Sequence, residues 1–287
     1  MTQTIRQGGV DFSVNYKVQT TWGLQEAMTF VLEGLGAALF FLSLLSDHRT
    51  GMLAGVLILV ASGILLIMHL GSPKNMIYVL ANIRHSWMSR GAALIPLFIV
   101  AGFLLLAAEW LFGVSPEGSA KTALIILFLL LTIFVLLKSG LVMTTFPAIA
   151  FWNGGLLPIV FALSGLATGI AVFALLDGQS KATFYWVLPA LFGILLVVAG
   201  IYLMTIREAG RAAKVSAELI GKRYSMSFYG VGILLGMALP LGLGIYLALV
   251  PSAASLALFV VIAAARLAGD VVLRDVILKV GVFDKVV

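Results

Sequence analysis

Apolar residues run through this 287-residue chain in long blocks parted by short polar connections. Eight blocks are readable, at about 23–46, 51–70, 92–112, 122–143, 155–176, 184–204, 229–250 and 252–272. Each reaches the roughly 20 residues a helix needs to cross the hydrocarbon of a bilayer. Backbone groups in lipid must find their partners within the segment, and continuous apolar runs lack the period-two alternation of a membrane β-strand. The pattern predicts an all-α integral membrane protein, a bundle of eight transmembrane helices over 23–272. A polar N-terminal tail at 1–22 and a C-terminal tail at 273–287 flank it, and no connection is long enough for a soluble catalytic domain.

Composition agrees. Hydrophobic residues make up 62% of the chain and charged ones 10%, where an ordinary globular domain carries about 25% charged residues. The mean hydropathy is +1.14. The environment read from this is membrane lipid, with no nucleic acid as partner. The five tryptophans, Trp22, Trp87, Trp110, Trp152 and Trp186, fall at block ends, where an aromatic belt places an indole that is apolar but carries an N–H. The opening stretch MTQTIRQGGVDFSVNYKVQTTW lacks the basic start and apolar core of a signal peptide, so the first helix is expected to stay as an anchor.

Charge sets an orientation. Eight crossings put both termini on one side, and fifteen of the 18 Lys and Arg residues then fall on that side, against Arg49, Lys121 and Lys181 on the other. The bias predicts that both termini are cytoplasmic.

The candidate chemistry is sparse. With no cysteine the chain has no iron–sulfur ligation of its own, and with three histidines, all at or beyond helix ends, it does not suit a haem held between two facing imidazoles. No metal site is expected. A redox role would fall to an organic carrier in the membrane, a quinone. His69 closes the second block, where Gly71 and Pro73 stop the helix. An imidazole at headgroup depth suits both a hydrogen bond to a quinone ring and proton exchange, and it equally suits a helix C-cap. In WGLQEAMTFVLEGLGAALFF, Glu26 and Glu33 stand seven residues apart on nearly one face of the first helix. Carboxylates in an apolar run face the bundle or a polar ligand. Glu26 lies at the mouth of the helix on the side of His69, and Glu33 is about 10 Å deeper by helical rise. Proton or quinone contact and structural pairing with Arg, Lys or hydroxyl groups are both open for them. Glu109 and Asp270 read as interfacial residues.

Three motifs carry a resemblance. HLGSPKNMIYVLANIRHSWMSRG (69–91) resembles the His-Leu-Gly-x-Pro stretch and following His-Ser-x-x-Ser-Arg element of the polysulfide reductase and dimethyl sulfoxide reductase membrane-anchor superfamily. TTFPAIAFWNGGLLPIVFALSGLATG (144–169) is similar to its Phe-Trp-Asn segment, and LEGLGAALFFLS to its first helix. The resemblance implies an anchor subunit of a prokaryotic inner (cytoplasmic) membrane that binds menaquinone or ubiquinone and exchanges electrons with a docked four-cluster ferredoxin-like iron–sulfur subunit, itself joined to a molybdopterin catalytic subunit. It implies that His69 holds the quinone, with Glu26, Glu33, Gly71 and Pro73 about it. Lys74, Arg84, His85, Arg90, Arg207 and Arg211 then make a basic docking surface. One departure stands out: relatives of the dimethyl sulfoxide reductase anchor commonly carry an acidic residue where this chain has Gly91, which would leave proton work to Glu26 or water. On the positive-inside count the complex faces the cytoplasm, which suits delivery of electrons to quinone, with sulfite among the candidate substrates of the partner. Two other classes compete: a transporter binding a cation or proton on Glu26 and Glu33, and a passive scaffold for a reductase.

Overall fold

Each apolar block becomes a helix, and most helices overrun their blocks. The computed structural model describes residues 4–7, 10–13, 16–69, 73–177 and 184–284, with side chains at 16–68, 77–177 and 185–284. A short antiparallel hairpin, β1 (Thr4–Gln7) with β2 (Val10–Ser13), precedes the bundle. Then come α1 (Leu24–Leu45), α2 (Arg49–His69), a 3₁₀ segment (Pro73–Asn82), α3 (Trp87–Leu111), α4 (Gly118–Thr144), α5 (Leu157–Asp177), α6 (Phe184–Ile206) and α7 (Arg211–Lys222). A π-helical segment (Met226–Ala238) runs straight into α8 (Leu239–Leu249), and α9 (Leu256–Lys279) ends the bundle. Counting the π segment and α8 as one crossing, eight helices among the described residues are long and apolar enough to span a bilayer, in the places the hydropathy pattern predicts.

α7 is no crossing. Its 12 residues reach only about 18 Å. Ala212, Ala213, Ser216 and Ile220 are buried, while Arg211, Lys214 and Lys222 are exposed.

α1 is the hub and packs on α2, α4, α5 and α9. Its glycines make this possible. A Cβ on Gly36 would lie 2.8 Å from the Gly55 carbonyl oxygen of α2, and one on Gly34 would lie 3.1 Å from the Gly165 Cα of α5. Only small residues let helix backbones meet this closely in lipid. Around the hub are two main apolar cores: Phe40, Phe98 and Phe128 centre one among α1 to α4, and a larger one joins the start of α1 to the later helices.

The two ends of the described chain meet. The Gln19 N–H donates to the Gly281 carbonyl (2.8 Å), Phe283 N–H to the Lys17 carbonyl (2.9 Å) and Asp284 N–H to the Ala148 carbonyl (2.7 Å). Beneath them the Trp152 indole donates to the Ile277 carbonyl at 2.9 Å. Trp152 is thus buried and hydrogen-bonded within the protein, not part of a lipid-facing belt. α9 also continues past the predicted tail boundary at 273. Arg274, Asp275 and Lys279 interrupt the hydropathy there, but Arg274 turns into the bundle and Lys279 pairs with Asp275 at 2.7 Å.

Candidate functional site

The first turn of α1 shapes one end of the bundle. Gly23, the residue before the helix, donates its N–H to the Glu26 carboxylate at 2.8 Å. An acid three residues into a helix satisfies a backbone donor that would otherwise have none, and sits favourably at the positive end of the helix dipole. The capping fixes where the part-buried carboxylate stands.

Beside it is a cavity of about 210 Å³. Trp22, Gln25, Glu26, Thr29 and Phe30 form one wall, Leu66 of α2 and Met88 of α3 the other. The lining is predominantly apolar, and Gln25 ties the walls together by donating its side-chain amide to the Leu65 carbonyl at 3.3 Å. His69 is the last residue of α2, three positions beyond Leu66. Gly71 and the side chains of His69, Pro73 and Lys74 lie outside the described residues. The structure therefore brings Glu26 and the end of α2 to one cavity.

A larger hollow of about 500 Å³ adjoins it. It shares Trp22, Gln25 and Glu26 with the cavity and is completed by Val18 to Leu24, Arg223, Tyr224 and Lys279.

Glu33 is elsewhere. It lies two turns further along α1 and is buried, accepting from the Lys138 ammonium at 2.7 Å and from the Ser139 hydroxyl at 3.4 Å. Of the two roles open to this residue, structural pairing is the one the structure displays, and Glu33 does not line the cavity. Lys138 reaches it by passing over Gly91, whose missing side chain leaves room for the lysine stem.

The largest buried polar cluster corrects the interfacial reading of Asp270. Asp270 is fully buried, and Arg266 and Arg274 stand on either side of it, one helical turn away on α9. Arg274 donates to Asp270 at 3.0 Å, to the Phe30 carbonyl of α1 at 3.2 Å and to the Phe161 carbonyl of α5 at 3.0 Å. Thr168 donates to Asp270 at 2.8 Å and Ser164 at 2.5 Å. Arg266 reaches the Gly236 carbonyl of the π segment at 2.9 Å and the Ser164 hydroxyl. The i, i+4 spacing of the three charges on one helix face was a signal available in the sequence. Three cations in the orientation count, Lys138, Arg266 and Arg274, are buried bundle residues and drop out of it, which leaves twelve of the fifteen.

The predicted docking residues divide by what they touch. Arg84 and His85 are exposed, as are Arg207 and Arg211 at the α6–α7 junction. Arg90 is engaged in its own connection: it donates to the Ile83 carbonyl at 3.0 Å and the Arg84 carbonyl at 2.7 Å, and its guanidinium lies 4.2 Å from the Trp87 ring centroid. Next to Arg84 and His85, the 73–86 connection exposes the large apolar side chains of Ile77, Tyr78, Leu80 and Ile83.

Comparison with curated protein sequences returns no match. The family model described as polysulphide reductase, NrfD, matches residues 13–283, which takes in every crossing, the cavity and the buried ionic cluster. Anchors of this family bind quinones and pair with the iron–sulfur subunits of molybdopterin oxidoreductase complexes. The chain belongs to the NrfD polysulphide reductase family, as a membrane anchor that crosses the bilayer eight times.

Proposed function

We propose that the cavity between the start of α1 and the end of α2 binds the ring of menaquinone or ubiquinone, with His69 and Glu26 as its polar groups. The observation that carries the reading is the convergence of Glu26, the α2 terminus and Met88 on one apolar cavity. Drug-sized ligands occupy about 300 Å³ or more, so a cavity of about 210 Å³ fits a single ring whose isoprenoid tail runs out among apolar side chains. The group supplies two electrons and two protons when bound as quinol, and takes up the same when bound as quinone. The protein's part is to hold and orient it: His69 hydrogen-bonds a ring oxygen, Glu26 holds a proton, and Trp22, Phe30 and Leu66 keep water from the ring.

Electrons pass to or from a four-cluster ferredoxin-like subunit docked on the same end, and through it to a molybdopterin subunit that holds the terminal substrate. Arg84, His85 and the exposed apolar residues of the 73–86 connection make that surface, which Arg207 and Arg211 extend. The remaining twelve-to-three charge bias favours this end facing the cytoplasm, an arrangement suited to an oxidising complex such as one acting on sulfite. A reporter active only in the periplasm, fused to the C-terminus, is expected to stay silent. The pairing of Glu33 with Lys138 weighs against transport, because one of the two carboxylates that reading needs is already neutralised.

The test is His69→Ala in the assembled complex. Quinone-dependent turnover is expected to fall at least tenfold, since alanine neither donates nor accepts a hydrogen bond, while reduction or oxidation of a soluble dye by the partner subunits continues. Wild-type quinone turnover in the variant would move the site away from α2.

A further inference from the structure

Glu26 belongs to two spaces at once. Together with Trp22 and Gln25 it lines both the apolar cavity and the larger hollow beside Arg223 and Lys279. Among these three residues only the carboxylate can gain and lose a proton, because the indole is a donor only and the amide does not titrate. From this position we infer that Glu26 is the proton relay of the quinone site, and that protons enter and leave through the hollow, on the same face of the membrane as the 73–91 connection. The inference rests on the quinone reading above and adds the route and its side.

The relay step balances simply. When quinol is oxidised, a ring O–H bond breaks and an O–H bond forms on the Glu26 carboxylate, while the electrons pass to the iron–sulfur partner. Glu26 then releases its proton to water in the hollow and is ready for the second. Quinone reduction runs the same steps backward. The hollow is lined for proton release, since exposed Thr20 and Thr21 offer hydroxyls, and Arg223 and Lys279 stand in its lining. Among the described residues that line these spaces with Glu26, the two cations and Tyr224 are on the hollow side, whereas the cavity side presents Gln25, Thr29 and apolar side chains.

Two other described carboxylates lie deeper in the bundle. Glu33 is held by Lys138 and Ser139, and Asp270 by two arginines and two hydroxyls. Neither lines the cavity. Glu26 is the described acid that does, and it opens toward the hollow. Quinone turnover then consumes or delivers protons on one face, without carrying them across the membrane through this chain.

The experiment uses the whole complex in sealed liposomes, with a pH-sensitive dye trapped inside or added outside, and compares wild type, Glu26→Gln and Glu26→Asp. Glutamine keeps an oxygen that can accept the Gly23 N–H, as in a capping box closed by Gln, so helix capping survives while proton exchange does not. Glu26→Gln is expected to lose about a hundredfold or more in quinone-dependent rate, the usual scale for a missing acid–base group, while the dye-linked activity of the partner subunits, which bypasses this chain, continues. Glu26→Asp should recover part of that rate with an altered pH profile. In the wild type, with quinol as donor and, at the partner subunits, a dye acceptor that takes up electrons without protons, acidification is expected on the face that carries those subunits. A wild-type rate and pH profile in Glu26→Gln, or a pH change on the opposite face, overturns the relay while leaving the quinone site standing. A complex that binds no quinone overturns both.

Discussion

Buried charges dominate at the scale of the residue. Asp270 balances two guanidiniums, and the three together tie α9 to α1, α5 and the π segment. Such a cluster is costly to bury and costlier to break, since removing one partner leaves another charge uncompensated, at about 3–5 kcal/mol. Asp270→Asn is therefore expected to lower the melting temperature in detergent sharply and to reduce the yield of folded anchor. A variant that melts with the wild type would show that the arginines are neutralised by other groups. Part of this was legible. Arg266, Asp270 and Arg274 stand four apart in an apolar context, but a hydropathy reading assigns charges near the end of a block to the loop. The Glu33–Lys138 pair joins residues 105 apart, and nothing local in a single sequence matches such partners.

Among elements, α1 is the piece on which the site depends. Its glycine face sets the distance to α2, and that distance sets the width of the cavity toward the start of the helix. A leucine at Gly36 would have to push past the Gly55 carbonyl and Leu59. Overpacking of this kind costs about 1–3 kcal/mol or more. Gly36→Leu should thus reduce folded yield and quinone affinity together, measured on the purified complex. Gly63→Ala on α2 is the control, since nothing lies within 4 Å of the added carbon, and both quantities should stay at wild-type levels. Two retained wild-type values in Gly36→Leu would remove α1–α2 spacing as a determinant of the site. The eight crossings were legible because lipid allows a long apolar run few alternatives to a helix. The π segment, α7 and the 3₁₀ segment were not. They depend on backbone hydrogen-bond register and on tertiary packing, to which a count of apolar residues is blind.

For the whole molecule, the arrangement is one of ends. An even number of crossings returns the chain to its starting face, and the bond between Gln19 and Gly281 closes that face physically. On it lie the cavity, the hollow, the exposed stretch from Ile77 to His85 and the basic α6–α7 junction. The opposite end is tied by Arg49–Glu109 at 3.1 Å and Lys121–Asp47 at 2.7 Å. The sequence motifs at 69–91 and 144–169 pointed to the first end, and Glu26 was assigned to the mouth of α1 by position alone. The hollow behind it was not legible, because Arg223 and Lys279 come to its rim only through the packing of α7 and α9.

The central claim is that quinone binds between the start of α1 and the end of α2. It is tested most directly by irradiating the intact complex with a photoreactive quinone analogue and mapping the labelled residues by mass spectrometry. Labels are expected within Trp22–Phe30, on the last turn of α2 and at Trp87 or Met88, and an excess of native quinone should abolish them. Competable labels confined to the opposite end, about Asp47, Glu109 and Lys121, would contradict the account.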